Sequence, residues 1–263
     1  MATVLPLPQV NPDDTTGYAS PSLEDAMRDI DAIMDALNLQ LVRRYLDQIH
    51  WDEESRAAHR ADDAEPGYKL ENVAAHSWSV ADAALMVASH FSNLDLERVL
   101  ALAILHDKLE MITGDYDPVG KDGRGQTSHA FQRDARERKD LAEINAMKQY
   151  LSHLSPAAAA LQADYLEDII YQRSKEARFV KAIDKMQALA FVVAKKDGKM
   201  SNEHLAFSLR YSAKAVKAFP PIIKHYEILV FRLIERVARV RGLDHRAVET
   251  HIVGQFSDYL CQK

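Results

Sequence analysis

This 263-residue chain lacks several features that would mark particular classes of protein. It has one cysteine, Cys261, so it cannot form an intramolecular disulfide, and a lone thiol is typical of a reducing compartment. The N-terminus has no basic segment followed by an apolar one, and the apolar runs around 100–105 and 188–194 are too short to cross a bilayer. We therefore expect a cytoplasmic protein that does not enter a membrane.

The chain also lacks an excess of basic residues over acidic ones. The formal net charge is −6, from 33 Lys and Arg against 39 Asp and Glu, which argues against binding to polymeric nucleic acid. Glycine and proline are few, with nine of each, whereas Ala, Leu and Met are plentiful. Hydrophobic residues make up 47% of the chain, enough for a sizeable core. This composition favours a helical globular protein.

The pattern of apolar residues predicts an all-α fold, a compact multi-helix bundle with additional C-terminal helices. We expect a loose tail over residues 1–21, a helical core over 22–200, and a helical extension over 201–263 that packs on the core. Helical spacing is clearest over about 22–49, 72–91, 95–107, 128–153 and 174–196, with another helix starting at Ser155-Pro156. Residues 51–69 and the glycine-containing stretch 113–125 are predicted to be loops or irregular segments.

The most informative residues are His106 and Asp107, which directly follow an apolar run. A buried carboxylate is rare unless it is paired or coordinates a metal. His76 and Asp184, on other predicted helices, could supply a further nitrogen and oxygen ligand. Each residue alone has a simpler explanation, such as a salt bridge from Asp184 to a neighbouring lysine. Together they favour a site for a divalent metal.

The order His76, His106-Asp107, Asp184 resembles that of the HD-domain metal-dependent phosphohydrolases. The segments 71–77, 106–110, 113–115 and 176–185 look like the 5′-deoxynucleotidase branch of that family. The resemblance covers about residues 70 to 195 and implies an HD-domain bundle. It also implies a hydrolase that releases inorganic phosphate from (deoxy)nucleoside 5′-monophosphates by attack of a metal-activated water.

By this resemblance, His76, His106, Asp107 and Asp184 hold one divalent transition metal: manganese, cobalt or iron, with magnesium and zinc as alternatives. The catalytic acids of the family map onto Glu110 and Asp115. The spacing agrees for Glu110, because a continued helix would place it on the same face as His106 and Asp107. The implied partner is a small nucleotide, and since relatives are often dimers, a homodimer is a further expectation.

The chain departs from the family pattern at several positions. Ala75 stands where relatives usually have Glu, and Lys108 stands where they usually have an apolar residue. Lys108 would face solvent or contact a substrate phosphate, and we expect solvent because helical lysines are mostly exposed. Trp51 is the one trace of an Arg-Trp pair that recognises the nucleoside in relatives. Substrate-binding candidates are therefore Trp51, Lys108 and Lys181.

Three alternative functions stay open at the level of sequence. A diiron oxygenase would use two extra histidines, for which His129 and His153 are the candidates. A nucleoside triphosphate or signalling-nucleotide hydrolase would need several cations near the phosphates, for which the candidates are Lys108, Lys121, Arg124, Lys181 and Lys185. A non-catalytic nucleotide-sensing HD domain is disfavoured because Glu110 and Asp115 are both present.

Overall fold

The computed structural model describes residues 22–45, 48–51 and 70–253. The α-helices in these ranges are α1 (Leu23–Ala36), α2 (Val73–Ala88), α3 (Leu96–Leu105), α4 (Glu110–Thr113), α5 (Arg133–His153), α6 (Pro156–Tyr171), α7 (Lys175–Lys196), α8 (Asn202–Ser212), α9 (Lys214–Ala218), α10 (Ile223–Arg241) and α11 (His245–Ala247). A single wide turn, Val248–Val253, follows α11. Within the described ranges there is no β-strand, only an isolated bridge between Arg43 and Asn72. The all-α prediction is confirmed. The predicted tail over residues 1–21 and most of the segment 51–69 lie outside the described residues.

Four of the predicted helix starts are made by side-chain caps. Ser22, Asp95, Ser155 and Ser174 each accept a hydrogen bond from the backbone N–H three residues further along. Such caps satisfy an N–H group that has no partner inside the helix. The local sequence therefore determines where α1, α3, α6 and α7 begin.

The first predicted helix is wrong over its second half. Instead of continuing to Ile49, α1 ends at Ala36 and a 3₁₀ turn covers Leu37–Leu41. The backbone is then extended at Val42, and Tyr45 has a φ of +68°, in the left-handed region. Neither conformation is compatible with a continuing helix.

The cause is a tertiary contact that overrides helical spacing. The N–H of Val73 donates to the carbonyl of Val42 (3.0 Å), and the N–H of Arg44 donates to the carbonyl of Glu71 (3.1 Å). The ring of Tyr45 stacks on Phe191 of α7, with 5.3 Å between centroids. These contacts tie the segment after α1 to the start of α2, and sequence periodicity carries no information about them.

Helix α7 lies at the centre of the molecule. Its first half packs Phe179, Val180 and Ile183 against α2 and α3 in one hydrophobic cluster. Its second half packs Leu189 and Val193 against α8 and α10 in another. Burial on several sides fits a helix that carries apolar residues around most of its circumference.

A third cluster joins the end of α3 to α5 and α6. Leu105 and Leu109 contact Met147 and Tyr150 of α5 and Leu166 of α6. This cluster fixes the position of the turn that carries His106 and Asp107. In the parts of the chain that the structure describes, no helix is both long and apolar enough to cross a membrane.

Candidate metal and substrate site

The four predicted metal ligands meet at one point. His76 comes from α2, His106 and Asp107 follow the last residue of α3, and Asp184 comes from α7. The Nε2 atom of His76 lies 3.4 Å from Oδ2 of Asp107 and 3.3 Å from Oδ1 of Asp184. The Nε2 atom of His106 lies 3.2 Å from Oδ2 of Asp107. His76, His106 and Asp184 each offer a ligand atom within 4.8 Å of the others.

Both imidazole rings are held by their other nitrogen. His76 Nδ1 lies 2.7 Å from Oε1 of Gln187, and His106 Nδ1 lies 2.8 Å from the carbonyl oxygen of Ala103. Gln187 in turn donates from Nε2 to Oε1 of Glu71 at 2.8 Å. Hydrogen bonds of this kind orient a metal-binding histidine and fix the tautomer that presents Nε2.

The Nε2 atoms themselves are buried and, among the described residues, neither has a hydrogen-bond partner. Buried polar atoms are normally satisfied, so two such nitrogens facing two carboxylates need an explanation. Two imidazoles and two carboxylates are a suitable ligand set for a divalent transition metal. The residues therefore fit the metal that the sequence predicts.

Asp184 has different partners on its two oxygens. Oδ1 faces His76, whereas Oδ2 accepts from Lys185 Nζ (2.9 Å) and lies 3.3 Å from Lys181 Nζ. Burial alone would raise the pKa of Asp184, but the two lysines outweigh it and hold the pKa well below its usual value. The salt bridge considered as the simple explanation of Asp184 is present, together with the ligand-like contact.

The two predicted catalytic acids line the same cavity, which has a volume of about 1060 Å³. Helix α3 does not continue to Glu110, as the spacing argument assumed. A turn covers residues 106–109, and Glu110 starts α4, where its N–H bonds to the carbonyl of Asp107 at 3.0 Å. Asp115 follows Gly114, which ends α4 with φ +72° and ψ 166°. The geometry differs from the prediction, but both acids still face the cavity.

Burial perturbs both acids. It raises the pKa of Glu110 well above its usual value, and the negative charges of Asp107 and Asp115 add to the effect. Burial also raises the pKa of Asp115, although Arg44 opposes it. Oε2 of Glu110 is buried and has no hydrogen-bond partner among the described residues. Two acids with raised pKa values inside a cleft are typical of general acid–base catalysts.

The three substrate-binding candidates are in different places. Lys181 lines the cavity beside Asp184. Lys108 is not one of the described residues that line the cavity. Its Nζ lies over the ring of Tyr150, 5.8 Å from the centroid, and burial lowers the pKa of Lys108. Trp51 is buried and is not one of the described residues that line the cavity. Its Nε1 donates to Gln48, which does line the cavity. The structure thus brings only Lys181 to the metal ligands.

The histidines proposed for a diiron centre do not meet. His129 lines the cavity, but burial and the charges of Lys139 and Lys185 lower its pKa to about 3. His153 ends α5 with an exposed side chain and is not among the described cavity residues. A second metal bound by both histidines is incompatible with this arrangement.

Several cavity residues were not singled out from the sequence. Arg44 reaches the cavity because of the extended segment after α1, and donates from Nη1 to Oε2 of Glu71 at 3.2 Å. A second group is basic and comes from helices α5, α8 and α9: Arg136, Lys139, Arg210, Lys214 and Lys217. A charged residue on a helix looks like a solvent-facing one unless the tertiary contacts are known, so the sequence held no signal for either.

Comparison with known proteins identifies the family of this chain. The family model of the HD domain matches residues 52–222. The 5′-deoxynucleotidase hdd1 of Schizosaccharomyces pombe is 28% identical over 126 residues, which are 46% of this chain and 57% of that protein. The chain thus aligns with little more than half the length of that relative.

A similar fold occurs in the crystal structure of a predicted metal-dependent phosphohydrolase from Magnetospirillum magnetotacticum. The TM-score is 0.56 at 18% sequence identity, and the match covers 81% of this chain and 94% of the other. At this identity the likeness concerns the fold alone. The family match, which spans more than half of the sequence and includes all four candidate ligands, is decisive: the chain belongs to the HD-domain family.

Proposed function

We propose that this protein is a metal-dependent phosphohydrolase that releases inorganic phosphate from (deoxy)nucleoside 5′-monophosphates. The observation that carries the proposal concerns the buried Nε2 atoms of His76 and His106. Neither has a hydrogen-bond partner among the described residues, and both face carboxylates of the pair Asp107 and Asp184. Such a ligand set beside two buried acids fits metal-assisted hydrolysis. The likeness to a 5′-deoxynucleotidase supports the choice of a nucleoside monophosphate.

The metal, when bound, supplies positive charge to the phosphate and lowers the pKa of a water molecule. Glu110 has a raised pKa and an unpartnered Oε2 within the described structure, so it can hold a proton at that atom inside the cavity. We assign proton transfer to Glu110, and we assign to Asp115 the role of the second catalytic acid. Lys181 and Lys185 place two positive charges beside Asp184, where they would attract a phosphate.

The test is a phosphate-release panel. Purified full-length protein is assayed with ribo- and deoxynucleoside mono-, di- and triphosphates, first in EDTA and then with Mn²⁺, Co²⁺, Fe²⁺, Mg²⁺ or Zn²⁺. We expect release from monophosphates with one of the first three metals and none in EDTA. Metal-independent release, or no release from any monophosphate, would contradict the proposal.

We also propose that the protein forms a homodimer through α1. Its apolar residues lie on one exposed face, with Met27, Ile30, Ile33 and Met34 each at least 56% exposed. An apolar stripe of this length is typical of an interaction surface. Light scattering should give the mass of two chains, and Ile30→Glu should reduce it to one. Asp31→Asn, a change of an exposed polar residue on the same helix, should leave the dimer intact, and a wild-type mass of one chain would refute the proposal.

The expected location is the cytoplasm. This part of the proposal is supported by the single cysteine, which is typical of proteins in a reducing compartment.

A further inference from the structure

A cluster of cations lines the cavity on the side formed by α5, α8 and α9. Lys214 and Arg136 both donate to the carbonyl oxygen of Ala130, the latter at 3.3 Å. Lys214 Nζ lies 4.6 Å from the ring centroid of Phe131, and the guanidinium carbon of Arg210 lies 3.8 Å from the same centroid. Three cationic side chains thus converge on Ala130 and Phe131. We call them the basic cluster.

The positive charges of the basic cluster repel one another at Lys214. Within the described part of the chain, no ion pair joins Arg136 or Lys214 to a carboxylate. Two carboxylates of α5 also line the cavity. Glu143 accepts a hydrogen bond from Lys139, and Asp140 follows Arg136 by about one helical turn. Burial and the charges of the surrounding cations lower the pKa of Lys214 to about 7. A bound anion would relieve this repulsion.

The basic cluster is connected to the candidate metal site through one aromatic ring. Lys185, which bonds Asp184, has its Nζ 4.6 Å from the ring centroid of Tyr211, and Lys214 Nζ lies 5.2 Å from the same centroid. The two ammonium groups are therefore within about 10 Å, close to the Debye length at 0.1 M ionic strength. A positive strip runs from the metal ligands along the cavity wall.

The aromatic rings beside this strip are not arranged to stack a nucleobase. Cations lie over Phe131 and Tyr211, and Phe207 stacks on Tyr211 with 5.4 Å between centroids and 15° between planes. The ring faces are used for cation–π contacts that hold the ammonium and guanidinium groups in place. The wall therefore suits an anionic group better than a base.

We propose that the basic cluster is a binding subsite for a second phosphate group of the substrate, the first being the one held at the metal ligands. Arg136 and Arg210 can form charge-assisted hydrogen bonds to phosphate oxygens, and Lys214 supplies a point charge. The inference rests on the proposed phosphohydrolase function and modifies its substrate: a nucleotide that carries a second phosphate should be preferred over the simple nucleoside 5′-monophosphate. The second phosphate is either the next one in a 5′-diphosphate chain or one attached elsewhere on the sugar.

Binding is tested first, because it requires no turnover. Isothermal titration calorimetry on the metal-loaded full chain compares inorganic pyrophosphate with orthophosphate. We expect pyrophosphate to bind at least tenfold more tightly. Arg136→Gln and Lys214→Gln should each reduce that ratio several-fold. Arg136 is exposed on a long helix, so its variant should fold even if loss of the Lys214 bond to Ala130 disturbs α9.

Lys148→Gln is the matched control, since Lys148 is exposed on the same helix as Arg136 and is not among the described cavity residues. The ratio of pyrophosphate affinity to orthophosphate affinity in Lys148→Gln should equal that of the wild type. Equal affinity of the wild type for the two anions would contradict the proposed subsite. An affinity ratio that changes in neither Arg136→Gln nor Lys214→Gln would contradict it as well.

Turnover then identifies the source of the second phosphate. The kcat/KM values of a nucleoside 5′-monophosphate, 5′-diphosphate and 3′,5′-bisphosphate are compared in the wild type and in Arg136→Gln. A preference for either doubly phosphorylated nucleotide that falls at least tenfold in the variant supports the subsite. If no nucleotide is hydrolysed but pyrophosphate binding still depends on Arg136, the phosphohydrolase proposal fails and the anion subsite stands. A wild-type preference that the variant retains in full would contradict the assignment of this cluster.

Discussion

At the scale of single residues, two buried carboxylic acids of the site, Asp184 and Glu110, have pKa values shifted in opposite directions. Asp184 is held in its charged form by Lys181 and Lys185, despite burial, so it can serve as a ligand. Glu110 lies in the same cavity without such a partner among the described residues, and its pKa is raised. Different neighbours thus prepare chemically identical groups for metal binding and for proton transfer.

Replacement of Glu110 by Gln should abolish most turnover without loss of metal. The amide keeps the size of the side chain but cannot transfer a proton, and general acid–base catalysis contributes about 10²–10⁴-fold to a rate. We expect kcat to fall by a factor in that range while the metal content per chain, measured by elemental analysis, stays unchanged. Glu235→Gln, an exposed change on α10, should alter neither quantity. Loss of the metal in Glu110→Gln would show that Glu110 is a ligand.

Glu110 should also make the metal-free protein less stable at higher pH. Its pKa in the folded state is raised above that of the unfolded chain, so the folded state binds the proton more tightly. The stabilisation from this proton is complete below the unfolded pKa and is lost as the pH rises through the folded pKa. In EDTA, Glu110→Gln should therefore raise the Tm at pH 8, by about 2–4 °C for each kcal/mol recovered. At pH 5 the gain should be smaller, and a gain that grows on acidification would contradict the assignment.

At the scale of elements, the turn after α4 positions Asp115. Gly114 has φ +72° and ψ 166°, a conformation that is accessible essentially only to glycine. A Cβ atom at Gly114 would meet no atom within 4 Å, so any cost of a side chain comes from the backbone and not from a clash. The glycine is therefore needed for the path of the chain into the cavity.

Gly114→Ala should consequently impair activity by moving Asp115. We expect a loss of about 1–3 kcal/mol in the free energy of unfolding from backbone strain, and a fall in kcat of at least tenfold. Gly242→Ala is the matched control, since Gly242 also has a positive φ (+64°) and open space around its Cβ position, but follows α10. The control should lose stability and keep its activity. Equal kcat in both variants would mean that Asp115 does not require this turn.

The elements also show what sequence could and could not predict. The capped starts of α3, α6 and α7 follow from local side-chain chemistry, and the four candidate ligands were found because His106-Asp107 is an unusual end for an apolar helix. The break after α1 could not be foreseen, because it depends on hydrogen bonds to residues near the start of α2. Arg44 and the basic cluster were missed for the same reason: their place in the cavity is set by tertiary contacts.

At the scale of the whole molecule, the candidate metal site joins three helices that come from distant parts of the sequence. His76 is on α2, His106 and Asp107 follow α3, and Asp184 is on α7. These helices also form the main hydrophobic cluster, in which Val80, Leu102 and Ile183 are fully or almost fully buried. A metal held by all three helices would bind the folded chain and not the unfolded one. Its binding energy would then add to the stability of the whole core.

Removal of the metal should therefore lower the Tm of the whole protein. A ligand present at 100 times its Kd stabilises the folded state by about 2.7 kcal/mol, which corresponds to about 5–10 °C for a chain of this size. We expect EDTA to lower the Tm of the wild type by this amount and to have no effect on His106→Ala, which has lost a ligand. His153→Ala should respond to EDTA as the wild type does, because His153 is exposed and is not among the described residues that line the cavity. A reduced response in His153→Ala would instead indicate a second metal, and an unchanged wild-type Tm in EDTA would contradict metal binding at the four residues.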